Sequence, residues 1–569
     1  MMKLYVNHLG FTPEDPEKRA IIYSEEFIKD FAVVDFNEMG YNEISPNQQA
    51  NQYAFKGKLQ SYDSEDGHYY IADFSALRKT GIYLVTIDNR YNSVPFQIRE
   101  DVYTRTMRKA FDYIHIQRCG TSVEGYHESC HLDDAIRRDN SEYLDTTGGW
   151  HDAGDLRKWM AHSMLLGIAI CQLKIHVNPK WITFNQTEDD LLDELRWGNN
   201  YFLKMLDPSG RVYNDVAAGI DGDNSDNRWT DNQIKSGDER SINTEYHPEV
   251  QWEFIYLNAL CSTLFKESDE IYAEKCLKAA LKALSFIECN PEYKTKITTW
   301  TFSCAEVQFT AWSLLAYKAV YAATKDKKYL DSLGEALKAL LALQEKEYTY
   351  HQKRVKGFFY CDAKKDRIFK DLRDSGILLI ALNEVCLIDE LSPDLKEACY
   401  QSILLYCNDY ILPLAKTNPF NIIPYGLFTN DLTDEWYHPL EGELRYRLFA
   451  PTKTPFYLGL TSHLLSHAVG LQMSGILLKE RSLIECAKNQ MEWVMGRNPE
   501  QACLMTGEGV NNPYPHSRFL GLIPGGIMNG YIGLENDQPY LDTQYQMDWR
   551  TTEYWSPHNC FYLWYLSIL

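Results

Sequence analysis

The first hundred residues gather their apolar positions into short or alternating runs: Ala20-Ile21-Ile22-Tyr23, Phe31-Ala32-Val33-Val34, His68-Tyr69-Tyr70-Ile71-Ala72, the stretch 82–87, and Val94-Pro95-Phe96-Gln97-Ile98. Turn-forming Gly, Asn, Asp and Pro separate these runs, so residues 1–100 are predicted to form a small β-sandwich. From about Thr104 the period lengthens. Apolar residues recur at helical spacing over 156–175, 189–205, 250–264, 273–287, 305–323, 329–343, 375–386, 395–412, 457–478 and 483–494. Roughly a dozen helices with almost no strand pattern predict a mainly α domain, here over residues 104–569. The loops 212–246 and 496–558 are long and rich in Trp, Tyr, Asp and Asn. Long loops on a helical scaffold are where a binding cleft is built.

Composition changes this picture little. At 569 residues the chain is too long for one ordinary core and fits two domains. Its 45% hydrophobic and 24% charged content is that of an ordinary globular protein. No apolar run approaches the roughly 18–20 residues that cross a bilayer, so no membrane partner is expected. The start Met1-Met2-Lys3-Leu4-Tyr5-Val6-Asn7 has no apolar core and no small-residue cleavage site. A cytoplasmic location is therefore expected, unless a leader was removed ahead of this numbering. A formal net charge of −22 disfavours nucleic-acid backbone or an anionic membrane surface as partner. It suits a neutral or cationic substrate, although acidic balance is common among enzymes. Fourteen cysteines are scattered widely, several in apolar helical contexts (Cys171, Cys261, Cys386), and are expected to be reduced, buried thiols. Nothing in the sequence sets an oligomeric state.

Candidate chemistry concentrates in Thr147-Gly148-Gly149-Trp150-His151-Asp152-Ala153-Gly154-Asp155. Two aspartates three residues apart, with only Ala-Gly between them, can both face one cleft. The plainer alternative is a turn or cap, with Asp155 capping a helix that starts at Leu156. Cys119, Cys130, His131 and His151 supply two thiolates and two imidazoles, the ligand set of a closed tetrahedral zinc site. Their spacing is not that of a zinc finger, and the alternative is a buried cysteine pair with loop histidines. There is no acidic loop of EF-hand type, and no calcium site is assigned. Aromatic residues make up 13% of the chain, and Trp150, Trp229, Trp252, Tyr514, Tyr540 and Trp555 fall in or beside the long loops. Sugar rings stack on such faces.

The Gly-Gly-Trp-His-Asp-Ala-Gly-Asp run resembles the GGW-x-DAGD motif of glycoside hydrolase family 9. Other blocks follow in that family's order: Val6-Asn7-His8-Leu9-Gly10-Phe11, Gln117-Arg118-Cys119-Gly120 with Cys130-His131, Gly496-Arg497-Asn498-Pro499, Thr506-Gly507-Glu508-Gly509 and Pro515-His516-Ser517-Arg518. The resemblance runs from Val6 to the last helix. It implies an (α/α)6 barrel preceded by a small immunoglobulin-like β-sandwich, and the activity of a cellulase-like, inverting β-glycoside hydrolase. Inversion needs two carboxyl groups roughly 6.5–9.5 Å apart, one activating water and one protonating the leaving oxygen.

By the same resemblance Asp155 is the general base and Asp152 helps to hold the water, the two titrating as a coupled pair. The acid is a glutamate six residues before an asparagine that opens the last helix, a spacing kept by Glu553 and Asn559. Tyr545, Trp549, Tyr554 and Trp555 around it are expected to raise its pKa; Glu535 and Glu508 compete for the role. The Trp555-Ser556-Pro557-His558 run departs from the usual cellulase pattern and leaves the substrate open. His516 and Arg518 match a late substrate-binding loop, with Ser517 where the family shows a second histidine. Trp229, in Asn227-Arg228-Trp229, resembles a loop tryptophan that contacts substrate. Some family members carry a structural zinc on a Cys, Cys-His and His set, which implies a metal here that pins the Asp152/Asp155 loop. The substrate so implied is a β-1,4-glucan cut internally. Alternatives are exo-cleavage of small imported oligosaccharides by a β-glucosaminidase, a non-catalytic glycan-binding homologue, and a polysaccharide lyase, which would need a Tyr or His base.

Overall fold

In the computed structural model the described residues are 1–36, 53–64, 67–176, 188–217, 229–299, 305–519 and 521–569. The amino-terminal strands are Met2–Tyr5 (β1), Arg19–Ser24 (β2), Asp30–Asp35 (β3), Tyr53–Lys58 (β4), Gln60–Ser64 (β5), Gly67–Asp73 (β6), Gly81–Ile87 (β7), Tyr91–Asn92 (β8) and Phe96–Ile98 (β9). They pair antiparallel into two sheets, β1-β2-β6-β5 and β4-β3-β7-β8, with β9 also on β7. Alternation sets the packing, because successive side chains on a strand point to opposite faces. Ala20, Ile22, Phe31, Val33, Tyr70, Ala72, Tyr83 and Val85 fill the sandwich, while Ile21, from the opposite face of β2, joins the core of the helical domain. The polar run Tyr53–Lys58 gave no strand signal, yet it pairs at a sheet edge where lysines are tolerated.

The helices are Val102–Ile116 (α1), Met160–His176 (α2), Glu188–Lys204 (α3), Pro248–Phe265 (α4), Glu270–Cys289 (α5), Glu306–Thr324 (α6), Lys328–Ala342 (α7), Ile377–Cys386 (α8), Pro393–Tyr406 (α9), Thr461–Leu478 (α10), Arg481–Val494 (α11) and Ser556–Ser567 (α12). The even-numbered helices touch in sequence and α12 returns to α2, which closes an inner ring; each odd-numbered helix packs outside an even-numbered one. This is an (α/α)6 barrel. The division follows from sequence: α10 has no charged residue and is buried along most of its length, whereas α11 buries one face and pairs Arg481 with Glu485 on the other. Segments leading into inner helices are long (117–159, 205–247, 343–376, 416–460), and those leading out are short (266–269, 325–327, 387–392, 479–480). The amino-terminal ends of the inner helices therefore share one loop-rich rim.

One expected helix start and one expected end are corrected. The helix predicted from Leu156 begins at Met160, because Lys158–Trp159 is a strand held on Asp215–Val216. The helix predicted over 395–412 ends at Tyr406 and passes into a π-turn, Cys407–Ile411. None of the described cysteines is in a disulfide. Among the described residues no helix is long and apolar enough to cross a membrane. The sandwich is fastened to the barrel by Lys488 on α11, whose buried Nζ lies 2.9 Å from Asp15 Oδ2 and donates to the Glu17 carbonyl at 2.9 Å. Tyr5 against Phe420, edge-on at 5.2 Å, adds an apolar contact.

Candidate active site

Asp152 and Asp155 lie on the segment that enters α2, between two other pieces of the rim. The Ser556 N–H donates to the Asp152 carbonyl (2.8 Å), the Gly154 N–H to the Tyr554 carbonyl (2.9 Å) and the Arg518 N–H to the Gly154 carbonyl (2.8 Å). Gly154 must be glycine: a Cβ there would stand 2.2 Å from the His516 carbonyl oxygen and 3.0 Å from Glu553 Cγ. The buried carboxylate of Asp152 accepts from the Trp159 N–H at 3.0 Å through Oδ1, and its Oδ2 lies 3.1 Å from His162 Nδ1. Asp155 Oδ1 accepts from the Arg157 N–H at 3.1 Å, a turn contact and not the helix cap considered from sequence.

Glu553 follows the one-turn helix Trp549–Thr552, with its backbone paired to His516. Burial, then the charges of Asp155 and Asp152, push its carboxyl well above the usual carboxylate range, and the Asp155 N–H and Arg518 offset this only in part. The two competing glutamates are engaged elsewhere. Glu508 sits between Lys109 (2.7 Å) and Arg105 (3.2 Å), and Glu535 is exposed beside Lys453. His516 is half-buried with Nδ1 2.9 Å from the Met547 carbonyl; Arg518 and Tyr514 are exposed, and Tyr514 packs on Tyr545 at 5.8 Å.

Several aromatic residues named from sequence lie elsewhere. Trp150 is 0% exposed, its indole N–H donates to Glu194 at 2.8 Å, and its ring packs on Phe202, so it cannot stack on a sugar. Trp252 is likewise buried, against Tyr317, and Trp555 against His162. Trp229, 41% exposed, stacks on His127 and His131, each at 5.8 Å, and so covers the cysteine–histidine cluster. Its neighbours Asn227 and Arg228 lie outside the described residues.

That cluster does assemble. Ligand atoms of Cys119, Cys130, His131 and His151 lie within 4.8 Å of one another, all buried. Cys119 Sγ is 3.6 Å from His131 Nδ1, and Cys130 Sγ is 3.6 Å from His151 Nε2. His151 Nδ1 sits 2.8 Å from the Leu156 carbonyl, which assigns the proton to Nδ1 and turns Nε2 toward the sulfurs. Arg240 reaches Cys119 Sγ at 3.6 Å and pairs with Asp134, which Lys158 also contacts at 2.7 Å. Two soft sulfurs and two imidazoles, closed off from solvent and backed by cations, fit a four-coordinate metal such as zinc. Because His151 precedes Asp152 directly, whatever fixes this cluster fixes the aspartates.

The model of glycosyl hydrolase family 9 matches residues 103–554. The chain belongs to this family. It is a glycoside hydrolase. It is 25% identical over 504 residues to "Endoglucanase D" of Acetivibrio thermocellus, covering 84% of this chain and 71% of that protein. To "Cellodextrinase" of Butyrivibrio fibrisolvens it is 27% identical over 367 residues, 59% of this chain and 61% of that one. A solved structure described as AaCel9A in complex with cellobiose-like isofagomine superposes with a TM-score of 0.71 at 18% identity, covering 99% of each chain.

In this family 9 hydrolase the rim also holds groups that sequence reasoning missed. Arg373 is buried before α8 and donates to Glu253 (2.8 Å) and Asp374 (2.8 Å), to Glu249, and to the Ala161 carbonyl (2.8 Å). Burial raises Glu253 to about 8 and Asp371 to about 7, with the charge of Asp374 adding to both, so the cluster holds protons at neutral pH. Its members come from three distant segments and form no contiguous motif. His162, one turn into α2, was passed over because a histidine on an apolar helix carries no signal until its partner is known.

Proposed function

We propose that this enzyme hydrolyses β-1,4-linked glucan or its oligosaccharides with inversion at the anomeric carbon, Glu553 acting as general acid and Asp155 as general base. The observation that carries the reading is a buried Glu553 carboxyl pushed well above the usual carboxylate range beside two aspartates with hydrogen-bonded carboxylates. A neutral Glu553 has a proton to give to the leaving oxygen, and an ionised Asp155 can take one from water. Asp152 orients the same water. The charges of Asp155 and Asp152 acting on Glu553 favour one protonated and one ionised partner, which is the division of labour required. As the bond breaks, the Glu553 proton passes to the departing oxygen while the Asp155 carboxylate accepts a proton from the attacking water. His516, Arg518 and Tyr514 are the groups best disposed to meet sugar hydroxyls and ring faces. The names of the endoglucanase and cellodextrinase relatives support a β-glucan substrate.

The cysteine–histidine cluster would hold a structural zinc. Bound there it would lock the segment preceding Asp152, and it would supply no reactive water, because all four positions are taken by side chains. The cellodextrinase relative favours a second reading, in which short oligosaccharides are trimmed from one end. Product analysis on cellopentaose and on chitosan oligosaccharides separates the two. Internal cutting gives mixed lengths from the first minutes, and trimming gives one short product. Neutral cello-oligosaccharides should be cleaved; cleavage of chitosan oligosaccharides alone would overturn the glucan assignment.

A further inference from the structure

His162 is fully buried, and its Nδ1 lies 3.1 Å from Asp152 Oδ2. On its other side stands Trp555, packed edge-on at 4.9 Å and 83°, with its indole Nε1 3.2 Å from the same nitrogen. Trp555 packs edge-on against His558 at 5.3 Å. His558 Nε2 lies 2.8 Å from Asn529 Oδ1; the Asn529 N–H donates to the Glu553 carbonyl at 2.9 Å and its side-chain amide to the Trp549 carbonyl at 2.8 Å. A continuous buried run of side chains thus joins the carboxylate of Asp152 to the backbone that carries Glu553. It passes through Trp555 and His558, the two residues that make the segment after Glu553 unusual.

The charged groups facing the ring are Asp152, Arg373 and Asp374 from the rim before α8, Arg157 and Asp215 from the strand pair beside the site, and His558 on α12. Burial, then the two arginines, keep His162 well below the usual histidine range, so the ring is neutral and carries one proton. Its Nδ1 can serve one neighbour at a time. It donates to Asp152 when protonated, or accepts from the Trp555 N–H when not, since indole only donates. An ionised Asp152 favours the first arrangement.

We propose that His162 is a positioning residue for catalysis, donating from Nδ1 to Asp152, with Trp555 and His558 holding the imidazole in register with the Glu553 segment. The inference rests on the hydrolase reading above. A carboxylate with Oδ1 on the Trp159 N–H and Oδ2 on His162 is held in one orientation from both oxygens. Removing the imidazole donor takes away one of these two restraints.

The test measures kcat and KM on cellopentaose for the wild type, His162→Phe, His162→Gln and Trp555→Phe. His162→Phe is expected to lower kcat about 100-fold with KM nearly unchanged, the loss typical of a misplaced catalytic group. His162→Gln, whose amide N–H can donate to the same oxygen, should recover about ten-fold. Trp555→Phe should show a smaller kcat loss of the same kind. A folded His162→Phe enzyme with wild-type kcat overturns the inference. Should the Phe variant not fold, a Gln variant that folds yet shows the full kcat loss overturns it equally. A wild type that cleaves neither cellopentaose nor chitosan oligosaccharides removes the hydrolase reading, and this inference with it.

Discussion

Glu553 is where charge and burial meet. Burial and the charges of Asp155 and Asp152 push its carboxyl well above the usual carboxylate range; in the proposed mechanism the acid is the active form, so activity is expected to fall as pH rises through the elevated pKa. The basic limb of the kcat/KM profile therefore belongs to Glu553. Glu553→Gln should abolish that limb and lower hydrolysis of unactivated cello-oligosaccharides by about 10²–10⁴-fold, as steady-state assays across pH will read. At the same scale Trp150 separates packing from binding. With its indole on Glu194 and no exposed surface, Trp150→Phe should lower stability by about 1–3 kcal/mol in denaturant titration and leave KM unchanged. The two aspartates could be singled out from sequence because the motif that carries them is nine contiguous residues. Trp150 belongs to the same motif but points away from the cleft, which residue order cannot reveal. His162 and Arg373 were invisible because their partners arrive from other segments.

At the scale of elements, helical periodicity located ten of the twelve barrel helices, α2 to α11, since each has one continuous reason to be helical, but it did not mark α1 or α12. It also failed at the start of α2. Lys158 and Trp159 fit the apolar pattern of α2 but are drawn into a strand by Asp215 and Val216, a non-local pairing. That strand is what brings the Trp159 N–H to Asp152. The loop crossing at Gly154 has no slack, and Gly154→Ala forces a methyl group onto the His516 carbonyl and Glu553 Cγ. The variant should remain helical by circular dichroism but lose at least about 100-fold in kcat, because displacement of about 1 Å at the acid is enough. The cysteine–histidine cluster acts on the same loop from its other end. Cys119→Ser should lower the unfolding temperature by several degrees, at about 2–4 °C per kcal/mol for a domain of this kind, and reduce kcat as the loop loosens.

At the scale of the molecule, sequence showed roughly a dozen helices behind a sandwich, but ring closure depends on contacts from α12 back to α2 that no local pattern encodes. The sandwich is part of that whole. Lys488 is buried where the two parts meet, against Asp15, Glu17 and Glu492. Lys488→Ala would take the cation from Asp15 and should cost about 3 kcal/mol, measured as a lower denaturation midpoint with catalytic constants preserved. The ring gathers its loops on one rim, and there Glu553, with its raised pKa, lies beside the two aspartates. The most direct test of that arrangement follows the anomeric configuration of the first product by NMR as the enzyme cleaves cellopentaose, beside Asp155→Asn and Glu553→Gln. The account predicts that the wild type first releases the α-anomer from the β-linkage and that both variants are slowed by about 10³-fold or more. Release of the β-anomer, or equal rates in all three enzymes, would contradict it.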